Sequence, residues 1–492
     1  MYKELRMFMR RNETMLVDFY EFTMANGYFN SPFKDKIVYF DLFFRSLPDK
    51  GGYAIFAGLE SIVEFIENMS FSEDDLTYLK NRNLFSDDFI EYLRNFRFTG
   101  DIYSVKEGSI IFPNEPVMTV RANIVEAQLL ETFILLVFNH QSLIATKASR
   151  IKHAAKGRVV LEMGARRAHG VSSANVGSRA AYIAGVDATS NTLADRLYGV
   201  PAAGTMAHSW VQLFENEVDA FRHYAKVYPN NATLLVDTYN TLKSGVPNAI
   251  KVIKEDLVPK GITNFAIRID SGDLTYLSKQ ARKMLDEAGL TTCKIVVSNA
   301  LDENLIKALL DQGAPIDIFG VGERLITAKS DPVFGGVYKL VAIEEDGQVI
   351  PKIKISDNPA KITTPHFKKL YRIYDKDSGK AKADLISVYD EQFSEDKPLT
   401  IFDPEHTWKT QTFTNYTIRD MKEQIFKEGK RIVELPTLEE IRAYTKEEIG
   451  RLWDEMLRFE HPHKYYVDLS EKLWTTKLNL IKEMKQQANE KK

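Results

Sequence analysis

A series of short apolar strands, most of them followed by a helical stretch, constrains the fold of this chain more than any other feature. The strands read VVLEM, LLVD, FAIRI, KIVVS and IDIFG, and the alanine-rich stretch SRAAYIAG follows the first of them. Runs of this length bounded by small and polar residues are typical of strands. Repeated β–α units without long polar interruptions favour a parallel barrel or an open parallel sheet.

The length of the chain predicts further domains beside this sheet. A chain of 492 residues is long for one compact core. It predicts two or three domains, one of which can be a barrel of roughly 200 to 250 residues. We predict an N-terminal α+β domain at 1–130, an α/β barrel with the catalytic site at 131–345, and a C-terminal segment at 346–492 that packs on the N-terminal domain.

The segments outside the barrel carry weaker local signals. The aromatic run at 39–44 predicts a strand, and the glycine pair at 51–52 interrupts the pattern before an apolar helix that we expect to begin near Ala54. After Val341 the sequence predicts hairpins and charged stretches. From Leu438 to the end it is helical and rich in lysine and glutamate, which is typical of a solvated face.

Composition excludes several classes of partner. The 65 lysines and arginines nearly balance the 68 aspartates and glutamates, so no global field favours nucleic acid or an anionic membrane. The single cysteine, Cys293, excludes an intrachain disulfide, and its place beside an apolar run predicts a small buried side chain. The apolar cluster at 133–138 is too short to cross a bilayer. We therefore expect a cytoplasmic protein that binds neither nucleic acid nor membrane.

An anion site is predicted at LEMGARRAHG, which spans 161–170. Its two adjacent arginines, Arg166 and Arg167, follow an apolar strand and stand among small residues that let a ligand approach the backbone. Arginine stays charged, and its planar fork matches carboxylate or phosphate oxygens two at a time. The alternative is that both arginines pair with surface carboxylates.

Four further segments place small and polar residues at strand ends: GTMAHSW at 204–210, FAIRIDSGDL at 265–274, KIVVSNALDE at 294–303 and IDIFGVGERLIT at 316–327. In parallel α/β folds, strand ends and helix starts bind ligands, because backbone N–H groups point outward there and favour phosphate. Polar residues that recur at successive strand ends therefore indicate one shared site.

Each of these segments also has a purely structural interpretation. His208 alone could be a satisfied structural histidine. Ser271 and Asp273 suit the role of helix N-caps. The sequence Gly320-Val321-Gly322 could be an ordinary tight turn, because it lacks the third glycine of a dinucleotide fingerprint.

Taken together, the motifs resemble one family. LVDFYEFTMANGYF, GARRAHG, GTMAHSW, IRIDSGDL, VVSNALDE, GVGERL and GGVYKLV occur in the order expected for nicotinate phosphoribosyltransferase, up to about Thr364. The resemblance implies an irregular parallel α/β barrel with an additional α+β domain built from the N-terminal and C-terminal parts. It also implies a homodimer with shared active sites.

The resemblance implies a reaction as well. Nicotinate and 5-phosphoribosyl 1-diphosphate would give nicotinate mononucleotide and diphosphate, with Mg²⁺ as cofactor and ATP as co-substrate. By resemblance, Arg166 and Thr205 hold nicotinate, and Tyr20 stacks on its ring from the other subunit. His208 would be transiently phosphorylated by ATP, which couples hydrolysis to synthesis.

The remaining residues would serve the phosphoribosyl substrate. Arg268 opens onto the site from its strand and could serve either substrate. Asp270 and Asp273 suit the ribose hydroxyls or a Mg²⁺ ion on the diphosphate. The positions assigned to the phosphoribosyl group beyond these are Ser298, Asn299, Gly320, Gly322 and Thr363.

Three alternatives stay open at this point. A type I phosphoribosyltransferase is weakly supported, because LLVDTYNT at 234–241 lacks the glycine of its phosphate loop. A non-catalytic phosphometabolite-binding protein would not need the ordered IDSGD and GTMAH segments. The nicotinamide enzyme of the same superfamily shares the histidine-serine pair, and Asp187, as an unpaired carboxylate, could suit an amide.

Overall fold

The computed structural model describes residues 12–356, 361–404 and 406–490, so the first residues of the predicted N-terminal domain lie outside the described part. This part divides into two compact units. The barrel unit is Ile144–Pro332, and the second unit combines the described residues of Met7–Leu143 and Val333–Lys492. Each unit has its own sheet.

The described residues form 21 strands: β1 Ile37–Phe44, β2 Ala54–Ile55, β3 Asp101–Val105, β4 Ile110–Ile111, β5 Met118–Asn123, β6 Val159–Glu162, β7 Ala188–Thr189, β8 Ala232–Leu235, β9 Phe265–Ile269, β10 Lys294–Ser298, β11 Ile318–Val321, β12 Gly336–Glu345, β13 Gln348–Pro351, β14 Lys368–Asp375, β15 Ala381–Val388, β16 Leu399–Phe402, β17 Thr410–Phe413, β18 Tyr416–Asp420, β19 Lys422–Lys427, β20 Lys430–Arg431 and β21 Tyr466–Leu469. Their α-helices are Phe19–Phe29, Leu59–Asn68, Glu73–Asn81, Asp87–Arg94, Ile124–Gln128, Glu131–Ala154, Val171–Ile183, Thr192–Tyr198, His208–Leu213, Glu217–Val227, Val246–Val252, Leu274–Glu287, Glu303–Asp311, Glu323–Ile326, Leu438–Gly450 and Glu471–Glu490.

The six strands of the barrel unit are parallel and lie in the order β7-β6-β11-β10-β9-β8. The first strand of the barrel unit, β6, pairs with its last strand, β11, so that Val160 lies opposite Phe319. This adjacency of first and last strands is the connectivity of a barrel. No strand pairing among the described residues joins β7 to β8, and the ring is open there. The predicted irregular parallel α/β barrel is confirmed.

Apolar side chains explain why these residues form a buried sheet. Ile267, Val297 and Phe319 are fully buried, as expected of barrel strands whose outer face is covered by helices and whose inner face is filled by side chains. The helix Leu274–Glu287 contributes buried residues of its own to the barrel unit. Cys293 is buried as predicted, and burial raises the pKa of its thiol to about 12.

The second unit combines strands from both ends of the chain. Its seven-stranded sheet has the order β13-β12-β1-β5-β3-β19-β20, and all its pairings are antiparallel. Strand β1 pairs with β5 on one side and with β12 on the other, while β19 pairs with β3. The predicted additional α+β domain from N-terminal and C-terminal parts is therefore confirmed.

Two local predictions for this unit need correction. The predicted strand at 39–44 is present as β1, but the helix expected near Ala54 begins only at Leu59. Ala54 instead belongs to β2, which pairs with β4. The C-terminal region is not helical throughout, because β21 separates its two long helices.

One helical stretch passes the length and composition test for a membrane span. Ile124–Ala154 contains a window of mean hydropathy 1.3, and 72% of that window is buried in the protein. The sequence analysis considered only the apolar cluster at 133–138, whereas the helical stretch extends well beyond that cluster on both sides. Its burial accounts for its apolar composition, because the core helix of a soluble protein passes the same test.

Candidate active site at the carboxyl edge of the barrel

The ends of three neighbouring strands lie level with each other. Ser298 at the end of β10 pairs with Gly320 of β11, and Val297 pairs with Ile269 at the end of β9. Parallel strands present their carboxyl ends at one edge, so the polar residues that follow them come together. The predicted shared site therefore has a physical basis in the register of the sheet.

Arg268 is the centre of this group. Its Nε donates to the Ser298 hydroxyl at 3.0 Å, and its Nη1 donates to the Thr205 hydroxyl at 3.1 Å and to the Met206 carbonyl at 3.3 Å. Its Nη2 lies 3.3 Å from Oδ1 of Asp270. One fixed guanidinium thus joins the GTMAHSW segment to the ends of β9 and β10.

Asp270 and His208 lie side by side. The Ser298 hydroxyl donates to Oδ1 of Asp270, and Oδ2 of the same carboxylate lies 3.8 Å from Nε2 of His208. His208 is the first residue of the helix His208–Leu213, and its side chain is 40% exposed. The histidine is accessible to a ligand and stands beside a carboxylate.

Two residues of this site were missed by the sequence analysis. Oδ2 of Asp237 accepts the Asp270 backbone N–H at 3.0 Å and the Ser271 hydroxyl at 2.6 Å. The Thr238 hydroxyl lies 3.1 Å from Nδ1 of His208. Both follow β8, so the signal that marked the other segments, polar residues at a strand end, was also present in LLVDTYNT.

The structural interpretation of the IDSGD segment is partly confirmed. Asp273 is the N-cap of the helix Leu274–Glu287, and its Oδ1 accepts the Tyr276 backbone N–H at 3.0 Å. Ser271 does not cap this helix, because its hydroxyl donates to Asp237 instead.

The two turns proposed for phosphate are tightly built. Asn299 has a φ of 94°, a left-handed conformation that few residues other than glycine adopt. A Cβ on Gly320 would lie 2.8 Å from Sδ of Met163, and one on Gly322 would lie 3.1 Å from the Met163 carbonyl oxygen. A side chain at either glycine would therefore crowd Met163, where the β11 end packs against the β6 end.

The arginine pair lies on a single 3-10 turn, Ala165–Arg167. Arg166 is exposed, and no hydrogen bond or ion pair joins it to another described residue. Glu323 pairs with Lys329, and the pKa of its carboxyl is lowered mainly by Lys329 and further by the charges of Arg167 and Arg324. No ion pair among the described residues engages Arg166, so its fork is available to a ligand.

Family models match three parts of the chain. The nicotinate phosphoribosyltransferase N-terminal domain matches residues 15–139, the nicotinate phosphoribosyltransferase family matches 159–394, and the corresponding C-terminal domain matches 367–477. A nicotinate phosphoribosyltransferase of Bacillus subtilis is 48% identical over 473 residues, which cover 96% of this chain and 96% of the relative. This chain belongs to the nicotinate phosphoribosyltransferase family.

Other members of the family are similar over most of their length. The nicotinate phosphoribosyltransferase of Caenorhabditis elegans is 34% identical, with 94% of this chain and 92% of the relative covered. The crystal structure of human nicotinic acid phosphoribosyltransferase has a TM-score of 0.83 and 29% identity, covering 94% of this chain and 99% of that one. A nicotinate-nucleotide pyrophosphorylase from Pyrococcus furiosus, at 24% identity and a TM-score of 0.68, shares the fold.

Asp187 does not support the nicotinamide alternative. The interpretation of this residue as an unpaired carboxylate that binds an amide is wrong, because its side chain is already paired. Its Oδ2 lies 2.5 Å from Nζ of Lys152 and accepts the Val160 backbone N–H at 2.8 Å. Asp187 therefore anchors the start of β6.

Two positions that the family resemblance assigned to substrates belong to the second unit. Tyr20 lies in the helix Phe19–Phe29 and is 46% exposed. Thr363 is buried, and its hydroxyl accepts the Lys354 backbone N–H at 3.3 Å. Their roles in the family reaction stay predictions.

Proposed function

We propose that this chain forms nicotinate mononucleotide and diphosphate from nicotinate and 5-phosphoribosyl 1-diphosphate. The proposal rests on membership of the nicotinate phosphoribosyltransferase family and on the polar cluster at the carboxyl edge of the barrel. When the diphosphate leaves C1, positive charge develops on the ribose and negative charge on the leaving group. Catalysis of such a step is mainly positioning and electrostatic stabilisation.

The single observation that carries the proposal is the position of Arg268. Its guanidinium donates to Thr205 on one side and to Ser298 on the other. A fixed positive charge between the segments assigned to nicotinate and to the phosphoribosyl group can stabilise the charge that builds up on the leaving diphosphate. Asp270, 3.3 Å from this guanidinium, is the anion that can face the ribose.

Nicotinate binding is assigned to Arg166 and Thr205. The exposed fork of Arg166 can donate two parallel hydrogen bonds to the pyridine carboxylate. Tyr20, contributed by the other subunit of a homodimer, would stack on the ring. The 5′-phosphate is assigned to the turns that carry Ser298, Asn299, Gly320 and Gly322, where backbone N–H groups can face an anion. Thr363 stays a residue that the family resemblance assigns to the phosphoribosyl substrate.

Magnesium fits the same edge. Hard cations bind carboxylate oxygens and keep several waters. Oδ1 of Asp237 is buried and has no hydrogen-bond partner among the described residues, so this residue can hold an ion beside Asp270. No group of three or more His, Cys, Asp or Glu side chains that could hold a metal occurs in the described chain, and substrate oxygens would complete the shell. Bound Mg²⁺ would neutralise charge on the diphosphate. Asp273 stays a weaker candidate, because its carboxylate caps a helix.

ATP coupling is assigned to His208. Attack of an imidazole nitrogen on the γ-phosphorus would form an N–P bond, break the P–O bond to ADP and later release phosphate to water. The exposed ring beside Asp270 and Thr238 supports this role.

Product analysis tests the proposal. The purified protein is incubated with 5-phosphoribosyl 1-diphosphate and labelled nicotinate, nicotinamide or quinolinate, each with and without ATP. We expect nicotinate mononucleotide from nicotinate, formed faster with ATP, and little product from the other two. A preference for nicotinamide would mean that the chain acts as a nicotinamide phosphoribosyltransferase. The absence of any turnover would favour a non-catalytic binding protein.

A further inference from the structure

Glu162 is a fully buried carboxylate at the edge that carries the candidate site. It is the last residue of β6 and pairs with Val321 of β11 on one side and with Thr189 of β7 on the other. A buried carboxylate is costly unless donors surround it. Neither the family resemblance nor the proposed reaction gives Glu162 a role.

Three donors from three different elements converge on this side chain. Oε1 accepts the backbone N–H of Gly164, while Oε2 accepts the Ser178 hydroxyl at 3.0 Å and the Thr189 hydroxyl at 2.6 Å. Burial raises the pKa of this carboxyl, and the hydrogen bonds from Thr189, Gly164 and Ser178 oppose part of that rise. The carboxylate therefore ties the turn after β6 to the helix Val171–Ile183 and to β7.

The turn that Glu162 holds has little freedom. A Cβ on Gly164 would lie 2.6 Å from Cβ of Ile326 and 2.8 Å from Oε1 of Glu162, so only glycine fits. The Gly164 carbonyl then accepts the Arg167 backbone N–H at 2.7 Å, which closes the 3-10 turn. Arg166 lies inside that turn, so the backbone that carries its guanidinium is fixed from the Glu162 side.

We propose that Glu162 is a positioning residue for nicotinate: its carboxylate holds the turn at 164–167 and thereby aims the Arg166 fork at the substrate carboxylate. This inference rests on the proposed function. Two carboxylate oxygens accept all three donors, whereas glutamine offers one oxygen and turns an NH₂ group toward donors. The Glu162→Gln substitution should therefore move the turn without changing its sequence.

The test measures the KM for each substrate separately. We expect Glu162→Gln to raise the KM for nicotinate about 10- to 100-fold and to change the KM for 5-phosphoribosyl 1-diphosphate by less than about 3-fold. Glu217→Gln is the matched control, because Glu217 is also buried and accepts two neutral donors, Ser244 and Asn248. In that control the two KM values should move together or stay unchanged. An unchanged nicotinate KM in folded Glu162→Gln protein would overturn the inference.

A double-mutant cycle separates positioning from a general loss of structure. If Glu162 acts through the fork of Arg166, then Glu162→Gln should add less than about 3-fold to the nicotinate KM of the Arg166→Lys protein. Effects that multiply fully would overturn the inference. Should Glu162→Gln fail to fold, Thr189→Val and Ser178→Ala each remove one donor and should each raise the nicotinate KM selectively. Wild-type protein that does not use nicotinate would instead refute the proposed function.

Discussion

The Nε2 atom of His208 lies 3.8 Å from Oδ2 of Asp270, while Nδ1 of the same ring lies 3.1 Å from the Thr238 hydroxyl. Both nitrogens of an accessible imidazole therefore face polar groups that the barrel holds in place. Asp270 is fixed in turn by the Ser298 hydroxyl and, through its backbone N–H, by Asp237. Such a ring is restrained in orientation and still open to a ligand.

This restraint gives the first prediction. The His208→Asn protein keeps a polar side chain but has no imidazole nitrogen to phosphorylate, so ATP hydrolysis should be abolished. Slow ATP-independent synthesis of nicotinate mononucleotide should remain, because positioning by Arg268 acts separately. With ATP and Mg²⁺, wild-type protein should give a phosphoprotein that is labile in acid and stable in base. His223→Asn, at an exposed histidine of the same unit, is the control and should behave as wild type. Full ATP stimulation of His208→Asn would exclude the phosphohistidine.

A second prediction concerns the arginine pair. Arg166→Lys keeps the charge but loses the fork, so the KM for nicotinate should rise about 10- to 100-fold, the equivalent of one charge-assisted hydrogen bond. Arg167→Lys is the control. It should change this KM by less than about 3-fold, because nicotinate is assigned to Arg166 and the Arg167→Lys substitution keeps the charge of the neighbouring exposed side chain. Steady-state kinetics with nicotinate as the varied substrate gives the KM of both variants. A normal nicotinate KM in Arg166→Lys would mean that another group binds the carboxylate.

The proposed homodimer with shared sites predicts complementation. Tyr20→Ala chains and Arg166→Ala chains should each be nearly inactive alone. In a random mixture, half of the dimers are hybrids, and each hybrid has one site with both residues intact, so activity should recover to about one quarter of wild type. Mixed dimers can be verified with two affinity tags. No recovery in verified hybrids would indicate that Tyr20 acts within its own chain.

The second unit gives a prediction for pH. Glu21 is fully buried and Oε2 has no partner among the described residues. Burial raises the pKa of this carboxyl to about 8, with smaller contributions from Glu131 and Asp18, and the Thr132 hydroxyl opposes the shift.

A raised pKa in the folded state stabilises the protein at low pH. The stabilisation is complete below the unfolded value of about 4.3 and is lost as the pH rises through about 8. Denaturant unfolding should therefore give a lower free energy of unfolding at pH 8.5 than at pH 5, by at most about 4 kcal/mol. Glu21→Gln should make this difference smaller, whereas exposed Glu91→Gln should leave it unchanged. Equal slopes in wild type and Glu21→Gln would contradict the assignment.

The sequence predicted the parts of the fold that depend on local pattern. The apolar runs at 159–162 and 265–269 form strands as expected, because their composition favours an extended, at least half-buried segment without reference to distant partners. The helix near Ala54 was displaced, because Ala54 pairs with Ile111, a distant partner that a local pattern does not reveal. The three-segment division at 130 and 345 stays a prediction.

The sequence also predicted part of the candidate site. Arg268 and Ser298 come together because their strand ends are level, which follows from the repeated β–α pattern. Thr205 lies in the irregular segment before the helix His208–Leu213 and reaches Arg268 through the tertiary fold. Asp237 and Thr238 were missed, because their segment was compared only with a phosphate loop that requires glycine. Glu162 was missed for another reason: its three donors lie on separate elements, and their convergence depends on the tertiary fold.

The pairing of β6 with β11 also determines when the site can form during synthesis. Val160 and Phe319 are roughly 160 residues apart in the chain, and at about 5 to 20 residues per second the ribosome needs roughly 8 to 30 seconds between them. Until β11 emerges, the nascent chain carries the arginine turn without the glycine turn that packs beside it. The proposed 5′-phosphate site is therefore incomplete until β11 has been made.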